Sequence, residues 1–211
     1  RVWSGEIKDG KLNGQGSITY PNGTIFTGQF IESKLNGRAK IVFNQGVIKE
    51  SEGIFKDNKL HGQGTRTFTD GRIFEGQFEN DELNGPGKIT NSKTGEVREG
   101  QFKNSRLEGS GKITYADKSV LAGNFSNEIP FGLCTKTYSN EEVWTQDYKN
   151  GKPSEEALIV FNGIVAKGKF KGTFLNNDLS GEGIITDSKG IIRSGLFKNC
   201  KLNGKGSISD S

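Results

Sequence analysis

At 211 residues the chain has room for one sizeable core. Its 31 glycines are not spaced every third residue, which excludes collagen, and 4 prolines with no methionine suit short strands better than helices. A net charge of +4, from 29 basic and 25 acidic residues well mixed in sequence, leaves no basic stripe for nucleic acid, and no apolar run reaches membrane-spanning length.

The chain opens mid-pattern, as a piece of a larger protein would. Trp3, Gly5 and Ile7 alternate with Ser4 and Glu6, the period of a strand. Lys8-Asp9-Gly10-Lys11 is turn-like, Ile18 and Tyr20 mark a returning strand, and Pro21-Asn22-Gly23 makes the next connection. This β-hairpin then recurs. Its central glycine falls at Gly5, Gly28, Gly53, Gly76, Gly100, Gly123, Asp147 (a substitution), Gly172 and Gly195, in steps of 23 to 25 residues. An apolar residue follows each centre closely: Ile7, Phe30, Phe55, Phe78, Phe102, Phe125, Tyr148, Phe174 and Phe197. Leucine comes seven residues after most centres, and a glycine pair, such as Gly85 and Gly87, at nine and eleven.

A lone hairpin is marginal in water, whereas stacked hairpins bury each other's apolar faces. The repeat therefore predicts an all-β fold. It is an elongated, single-layer antiparallel sheet of nine hairpins and eighteen strands, one repeat domain over residues 1–211. A compact sandwich would need longer strands and less regular connections. Gly28, Phe30, Gly76, Phe78, Gly85, Gly87, Gly172 and Phe174 are the expected structural set. Glycine between two apolar side chains reads as room for an aromatic ring from an adjacent strand, or as a turn requirement. Units six and seven break the rule with Ile129-Pro130-Phe131-Gly132-Leu133-Cys134, Asp147 and Pro153. They read as a tolerated irregularity, a bend or a binding site.

The residues resemble the MORN repeat family. Phe26-Thr-Gly28-Gln-Phe30, Phe74-Glu-Gly76-Gln-Phe78 and Phe170-Lys-Gly172-Thr-Phe174 match its opening. Leu12-Asn-Gly14-Gln-Gly16 and Leu60-His-Gly62-Gln-Gly64 match its middle, and Asp70-Gly71 its end. The family opens with tyrosine, where this chain has Trp3, Phe26 and Phe74, or the non-aromatic Ser51, Arg98, Leu121, Thr145 and Arg193. The resemblance implies an elongated, slightly twisted sheet. It also implies a scaffold role in cilia, flagella, cytoskeletons or membrane junctions, or an accessory domain of a larger enzyme. A fold shared across these does not choose among them.

Catalysis needs groups held at reacting distance, and the sequence offers none. The one histidine, His61, sits where other units carry Asn13, Asn36, Asn84, Glu108, Ser180 and Asn203, and reads as an exposed, turn-side polar position. Cys134 and Cys200 lie almost three units apart, so neither a disulfide nor a metal site is expected. Two cysteines in this length point to a reducing intracellular, cytoplasmic setting, with a cytoskeletal or ciliary association from the resemblance. The glycine pairs lack the spacing and following helix of a phosphate loop. Neither a cofactor nor enzyme activity is expected.

The expected function is a protein-interaction scaffold that presents a partly aromatic sheet face to a helical or extended partner segment. Phe125, Phe131, Trp144 and Tyr148 are the candidate contacts. Lipid binding should be weak, because Lys56-Asp57, Glu79-Asn80-Asp81-Glu82 and Glu141-Glu142 interrupt any positive stripe. Neither end carries a capping repeat, so homodimers through ends or edges, or a larger parent protein, are further expectations.

Overall fold

A computed structural model describes residues 1–172 and 178–210. Phe174 lies outside the described residues. Among the described residues there is no helix, and the strands form an open antiparallel sheet paired in sequence order. The chain divides into two compact units, Arg1–Gly109 and Ser110–Ser211.

In Arg1–Gly109 the strands are β1 (Val2–Lys8), β2 (Lys11–Thr19), β3 (Ile25–Ile31), β4 (Lys34–Val42), β5 (Ile48–Lys56), β6 (Lys59–Phe68), β7 (Arg72–Glu79), β8 (Glu82–Asn91) and β9 (Val97–Lys103); the division between units falls within β10 (Arg106–Thr114). Each hairpin closes on two residues that both have positive φ, such as Asp57–Asn58 and Asn80–Asp81. That geometry follows the right-handed twist of the strands and favours Asn, Asp and Gly. A bulge follows in β1–β2, β3–β4, β5–β6 and β7–β8. In β7–β8 the three residues Gly76–Phe78 face the five residues Leu83–Gly87.

The three glycines of a unit therefore have three different causes. Gly85 sits in the bulge at φ 102°. Gly76 has φ 137°, and a Cβ there would lie 2.5 Å from the Pro86 carbonyl oxygen. Gly87 has ordinary backbone, but a Cβ would meet the Leu83 methyls at 3.0 Å. The room made by the glycines is filled by leucine rather than by the expected aromatic ring. Leu12, Leu60 and Leu83 each lie over the lane that runs Gly5, Gly16, Gly28, Ala39, Gly53, Gly64, Gly76, Gly87, Gly100 across the strands. These leucines are fully buried, and Phe30, Phe55, Phe78 and Phe102 are buried beside them.

Neighbouring hairpins are clamped at the turns. The second turn residue donates its N–H to the leucine carbonyl of the preceding hairpin, as Asn58 does to Leu35 at 3.0 Å. Its side chain accepts the N–H of the same leucine: Ser33 from Leu12, Asn58 from Leu35, Asp81 from Leu60, Ser105 from Leu83. The residue after the leucine accepts the first turn N–H, Asn13 from Glu32 and Asn36 from Asp57. This accounts for the polar variation at the His61 position. His61 itself is half-buried rather than exposed, and its Nδ1 has no partner.

Arg66 takes a core position that Ile18, Ile41 and Ile89 fill elsewhere in this unit. It is buried because Ser51, opposite it, accepts from Nε at 2.9 Å, and Asp81 accepts from both terminal nitrogens. An ion pair in the core is tolerated when each polar atom has a partner.

Ser110–Ser211 contains β11 (Val120–Ser126), β12 (Ile129–Thr137), β13 (Val143–Lys149), β14 (Lys152–Pro153), β15 (Glu156–Phe161), β16 (Ile164–Lys171), β17 (Ser180–Thr186), β18 (Ile192–Lys198) and β19 (Lys201–Ser209). The strand count exceeds two per hairpin because Pro153 and Ser154 split one returning strand into β14 and β15. The Ser154 N–H turns inward to the Asp147 carbonyl at 2.7 Å.

Two centres move. Cys134 faces Gln146 and Gly132 faces Tyr148, so Gln146, not Asp147, stands in the glycine lane, and Trp144 becomes the opening aromatic. Gly168, at φ 149°, faces Ala157 and Gly183, so it replaces Gly172, which lies at the turn with φ 84°. The spacing from Leu179 favours Gly172. The hairpin instead keeps β16 and β17 in unbroken register from Val165↔Thr186 to Lys171↔Ser180. Without a bulge, the Phe170 ring comes within 2.7 Å of where a Gly183 Cβ would sit. Here an aromatic ring does cover a glycine. Trp144, Ala157, Ile159, Ala166, Phe170, Leu179, Ile185 and Phe197 form the core of this part.

Candidate functional site

The alternation of strand side chains gives each unit an inner face of leucine, phenylalanine and isoleucine and an outer face of the residues between them. Three of the four expected contact residues belong to the inner face. Phe125 is fully buried, and Trp144 and Tyr148 are each only 8% exposed. Trp144 is also committed chemically, since its indole N–H donates to Oε1 of the buried Glu142 at 2.8 Å. Phe131 alone is open, at 45%. The structure thus does not bring the four together as a surface: the aromatic positions serve the core, which is where their apolar area contributes most.

The outer face has two rows of side chains flanking the lane. In Arg1–Gly109 these rows are polar except at Ile54 and Pro86. Gln15 pairs with Gln29 at 2.9 Å and Gln63 with Gln77 at 3.0 Å. Lys40 lies between Glu52 at 3.1 Å and Glu50 at 3.2 Å, and hydrogen bonds to those carboxylates hold its ammonium above the ordinary lysine range. A trough of about 620 Å³ runs between Arg38, Glu52, Ile54, Gln63, Thr65 and Glu75.

In Ser110–Ser211 the corresponding trough, about 520 Å³, is lined by Leu133, Asp147, Glu156, Leu158, Lys167 and Ile184, over backbone that includes Ala157, Gly168 and Gly183. Leu133 is 69% exposed, Leu158 41%, Ile184 46% and Leu196 52%. Among the described residues Asp147, Glu156, Glu182 and Lys167 form no ion pair, and Lys169 faces Glu156 and Glu182 across the ladders. Lys169, beside them, reaches Glu155 at 3.9 Å. Sequence reasoning that follows only the repeat motif misses this set, because all four aliphatics lie outside it. The signal that finds them is the comparison of outer positions between units, where Arg38, Thr65 and Gln77 correspond to Leu133, Leu158 and Leu196.

The site can bind by contact but holds no reacting constellation. Among the described residues no group of three or more His, Cys, Asp and Glu side chains could hold a metal ion. Burial pushes the thiols of Cys134 and Cys200 up, away from the reactive thiolate.

Comparison with known proteins agrees with the repeat. The MORN repeat family model matches residues 3–25, 52–71, 74–93 and 99–120. A comparison with curated proteins finds no match. Among solved structures the chain is similar to the TCP10 domain of Danio rerio CPAP, in complex with a peptide of Danio rerio STIL, at 12% identity and TM-score 0.47, covering 100% of both chains. It is also similar to the TCP domain of Drosophila melanogaster SAS-4 (dCPAP), solved with a proline-rich motif of Ana2, at 11% identity and TM-score 0.44, covering 92% of this chain and 88% of that one. The matched segments are MORN repeats that coincide with hairpins whose glycine lane and leucine cap are described above.

Proposed function

We propose that this chain is a non-enzymatic scaffold that holds a partner protein against the outer face of Ser110–Ser211. The supporting observation is the exposed aliphatic set Leu133, Leu158, Ile184 and Leu196 beside the trough, where the trough of Arg1–Gly109 has Ile54 among polar side chains. Contiguous exposed apolar surface with a polar rim is the usual mark of an interaction site. Side chains of this kind cost little to expose singly, but four on one face favour a covering surface. A cytoskeletal or ciliary assembly inside the cell is the setting suggested by the family resemblance. A lipid role is less well supported, since Asp147, Glu156 and Glu182 would repel an anionic bilayer.

The test is native capture by the 211-residue chain followed by cross-linking, with vesicle sedimentation in parallel. Leu158→Asp with Ile184→Asp should abolish cross-linking to the retained protein, while Arg38→Ala with Gln63→Ala in the other trough should leave it intact. Retention unaffected by the aspartates would move the surface elsewhere. Strong sedimentation with anionic vesicles and no protein partner would sink the scaffold reading.

A further inference from the structure

We infer that Asn162 is a site of spontaneous chemical modification. Its side-chain amide is lost to attack by the Gly163 backbone nitrogen, leaving aspartate or isoaspartate in the turn between β15 and β16. This goes beyond the scaffold reading and does not rest on it. The reaction needs a glycine after the asparagine, an amide side chain free to rotate, and a following N–H that is free to be lost. The chain holds seven Asn-Gly pairs, at Asn13, Asn22, Asn36, Asn84, Asn150, Asn162 and Asn203, so the sequence motif does not rank them.

Five of the pairs are held. Asn13 accepts the Glu32 N–H at 3.1 Å, Asn36 the Asp57 N–H at 3.2 Å and Asn84 the Asn104 N–H at 3.1 Å. Asn13 and Asn36 also donate from Nδ2 to the carbonyls of Lys11 and Lys34. Asn22 accepts the Thr24 N–H at 3.0 Å, and the Gly23 N–H, the nucleophile of that pair, donates to the Tyr20 carbonyl at 2.9 Å. After Asn150, the Gly151 N–H donates to the Pro130 carbonyl at 3.3 Å.

Asn162 differs on each count. Among the described residues neither its side chain nor the Gly163 N–H has a hydrogen-bond partner, and both residues are exposed. Together they are the whole turn: β15 ends at Phe161, β16 begins at Ile164, and φ is 47° at Asn162 and 75° at Gly163. The clamp between successive connections is missing as well. Elsewhere Asn44 donates to the Asn22 carbonyl at 3.0 Å, and the Ser92 hydroxyl donates to the Gly71 carbonyl at 2.9 Å. Ser188 stands in that place, its Cβ 3.3 Å from where a Gly163 Cβ would sit, and makes no such bond. Asn203 also lacks a side-chain partner among the described residues, but it stands within β19, whose extended backbone is held by pairing with β18.

The chemistry closes with water as the only co-reactant. Hydroxide takes the Gly163 amide proton, and the nitrogen attacks Cγ of Asn162. The N–Cγ bond forms, the Cγ–Nδ2 bond breaks, and the leaving nitrogen takes a proton from water to depart as ammonia. With no side chain on Gly163, nothing crowds the five-membered imide. Water then opens the imide. Cleavage at Cγ returns the ordinary backbone with aspartate, and cleavage at the Asn162 backbone carbonyl leaves isoaspartate, with the chain routed through Cβ. Isoaspartate adds one backbone atom to a two-residue turn, so it loosens the hairpin that carries Leu158 on one strand and Lys167 on the other.

Incubation of the 211-residue chain at mildly alkaline pH, with peptide mapping by mass spectrometry at intervals, gives a conversion rate for each pair. Asn162 should convert at least about fivefold faster than Asn13, Asn22, Asn36, Asn84 or Asn150, the factor for breaking one ordinary hydrogen bond, and ahead of Asn203. In guanidinium chloride the seven rates should draw together, because the fold sets their differences. Asn162→Gln should remove the fast phase of ammonia release, since glutamine must close a larger ring. A held pair or Asn203 converting first overturns the inference. So does an equal lead for Asn162 in denaturant, which would assign the rate to local sequence, or a fast phase that survives Asn162→Gln. None of these outcomes bears on capture of a partner protein, so the scaffold reading stands or falls separately.

Discussion

One residue after the lane position of a returning strand, Arg1–Gly109 carries Ser17, Lys40, Thr65 and Lys88, while Ser110–Ser211 carries Leu158 and Ile184. On the inner face the two regions agree, since Phe30 and Phe78 in one and Phe125 in the other are all buried to 1% or less. The difference teaches that a repeat constrains one face of its sheet and leaves the other to vary. Inner positions must fit the leucine and phenylalanine of the next hairpin. Outer positions face water, so they can be changed without cost to the stack and become the place where units acquire separate roles. Both regions also tolerate polar atoms inside, but differently. Arg66 is neutralised by Asp81, whereas Glu142 is held by Trp144 and Asn140.

If the inner faces are equivalent, their aromatic truncations should be equally damaging. Phe78→Ala and Phe125→Ala are each expected to cost about 3–5 kcal/mol in chemical denaturation. Trp144→Ala should fall in the same class, and a variant that lost a partner while keeping full stability would show that its burial is misread. Next in size, Asp81→Ala should cost about 2–3 kcal/mol, because it strands the buried Arg66 and uncaps the Leu60 N–H. Arg66→Ile in the same background should recover part of that loss, since isoleucine is the residue used at the equivalent positions. Failure of the rescue would mean that Arg66 serves more than local packing.

A smaller effect separates turn clamps from turn geometry. Asn58→Gly keeps a residue that accepts φ 68° but removes the acceptor for the Leu35 N–H, and should cost about 1–2 kcal/mol. An unchanged midpoint would assign the asparagine to backbone conformation alone. The smallest effect concerns Cys134. Burial raises its thiol above the ordinary range, so the stability this provides is complete below the unfolded thiol's pKa and is lost as pH rises through the folded value. Cys134→Ala should flatten that alkaline decline in a pH series of melts, and a decline of the same size in the variant would assign it to the tyrosines, of which Tyr138 and Tyr148 are also raised by burial.

The hairpins and the places of glycine and leucine within them could be read from the sequence because each is specified locally. Two turn residues must accept positive φ, and the glycine pair must stand at a set distance after the leucine. Centres in the irregular units could not be placed that way. Asp147 and Gly172 fit the spacing, but strand register is decided by which residues pair across the sheet, and an unbulged hairpin or a split strand shifts the count without leaving a local mark. The burial of three of the four candidate contacts was hidden for a related reason. Phe125, Trp144 and Tyr148 were legible as aromatics on one face, but burial depends on what packs over that face.

The sequence by itself determined that the chain is an all-β repeat of hairpins and which positions are glycine, leucine and phenylalanine in each, because backbone conformation and strand period are properties of a few neighbouring residues. Only the tertiary structure decided that leucine rather than an aromatic ring covers most of the lane, that Gln146 and Gly168 occupy it, and that Leu133, Leu158, Ile184 and Leu196 share an exposed face. Those are relations between residues of different strands, and they exist only once the strands are paired in register.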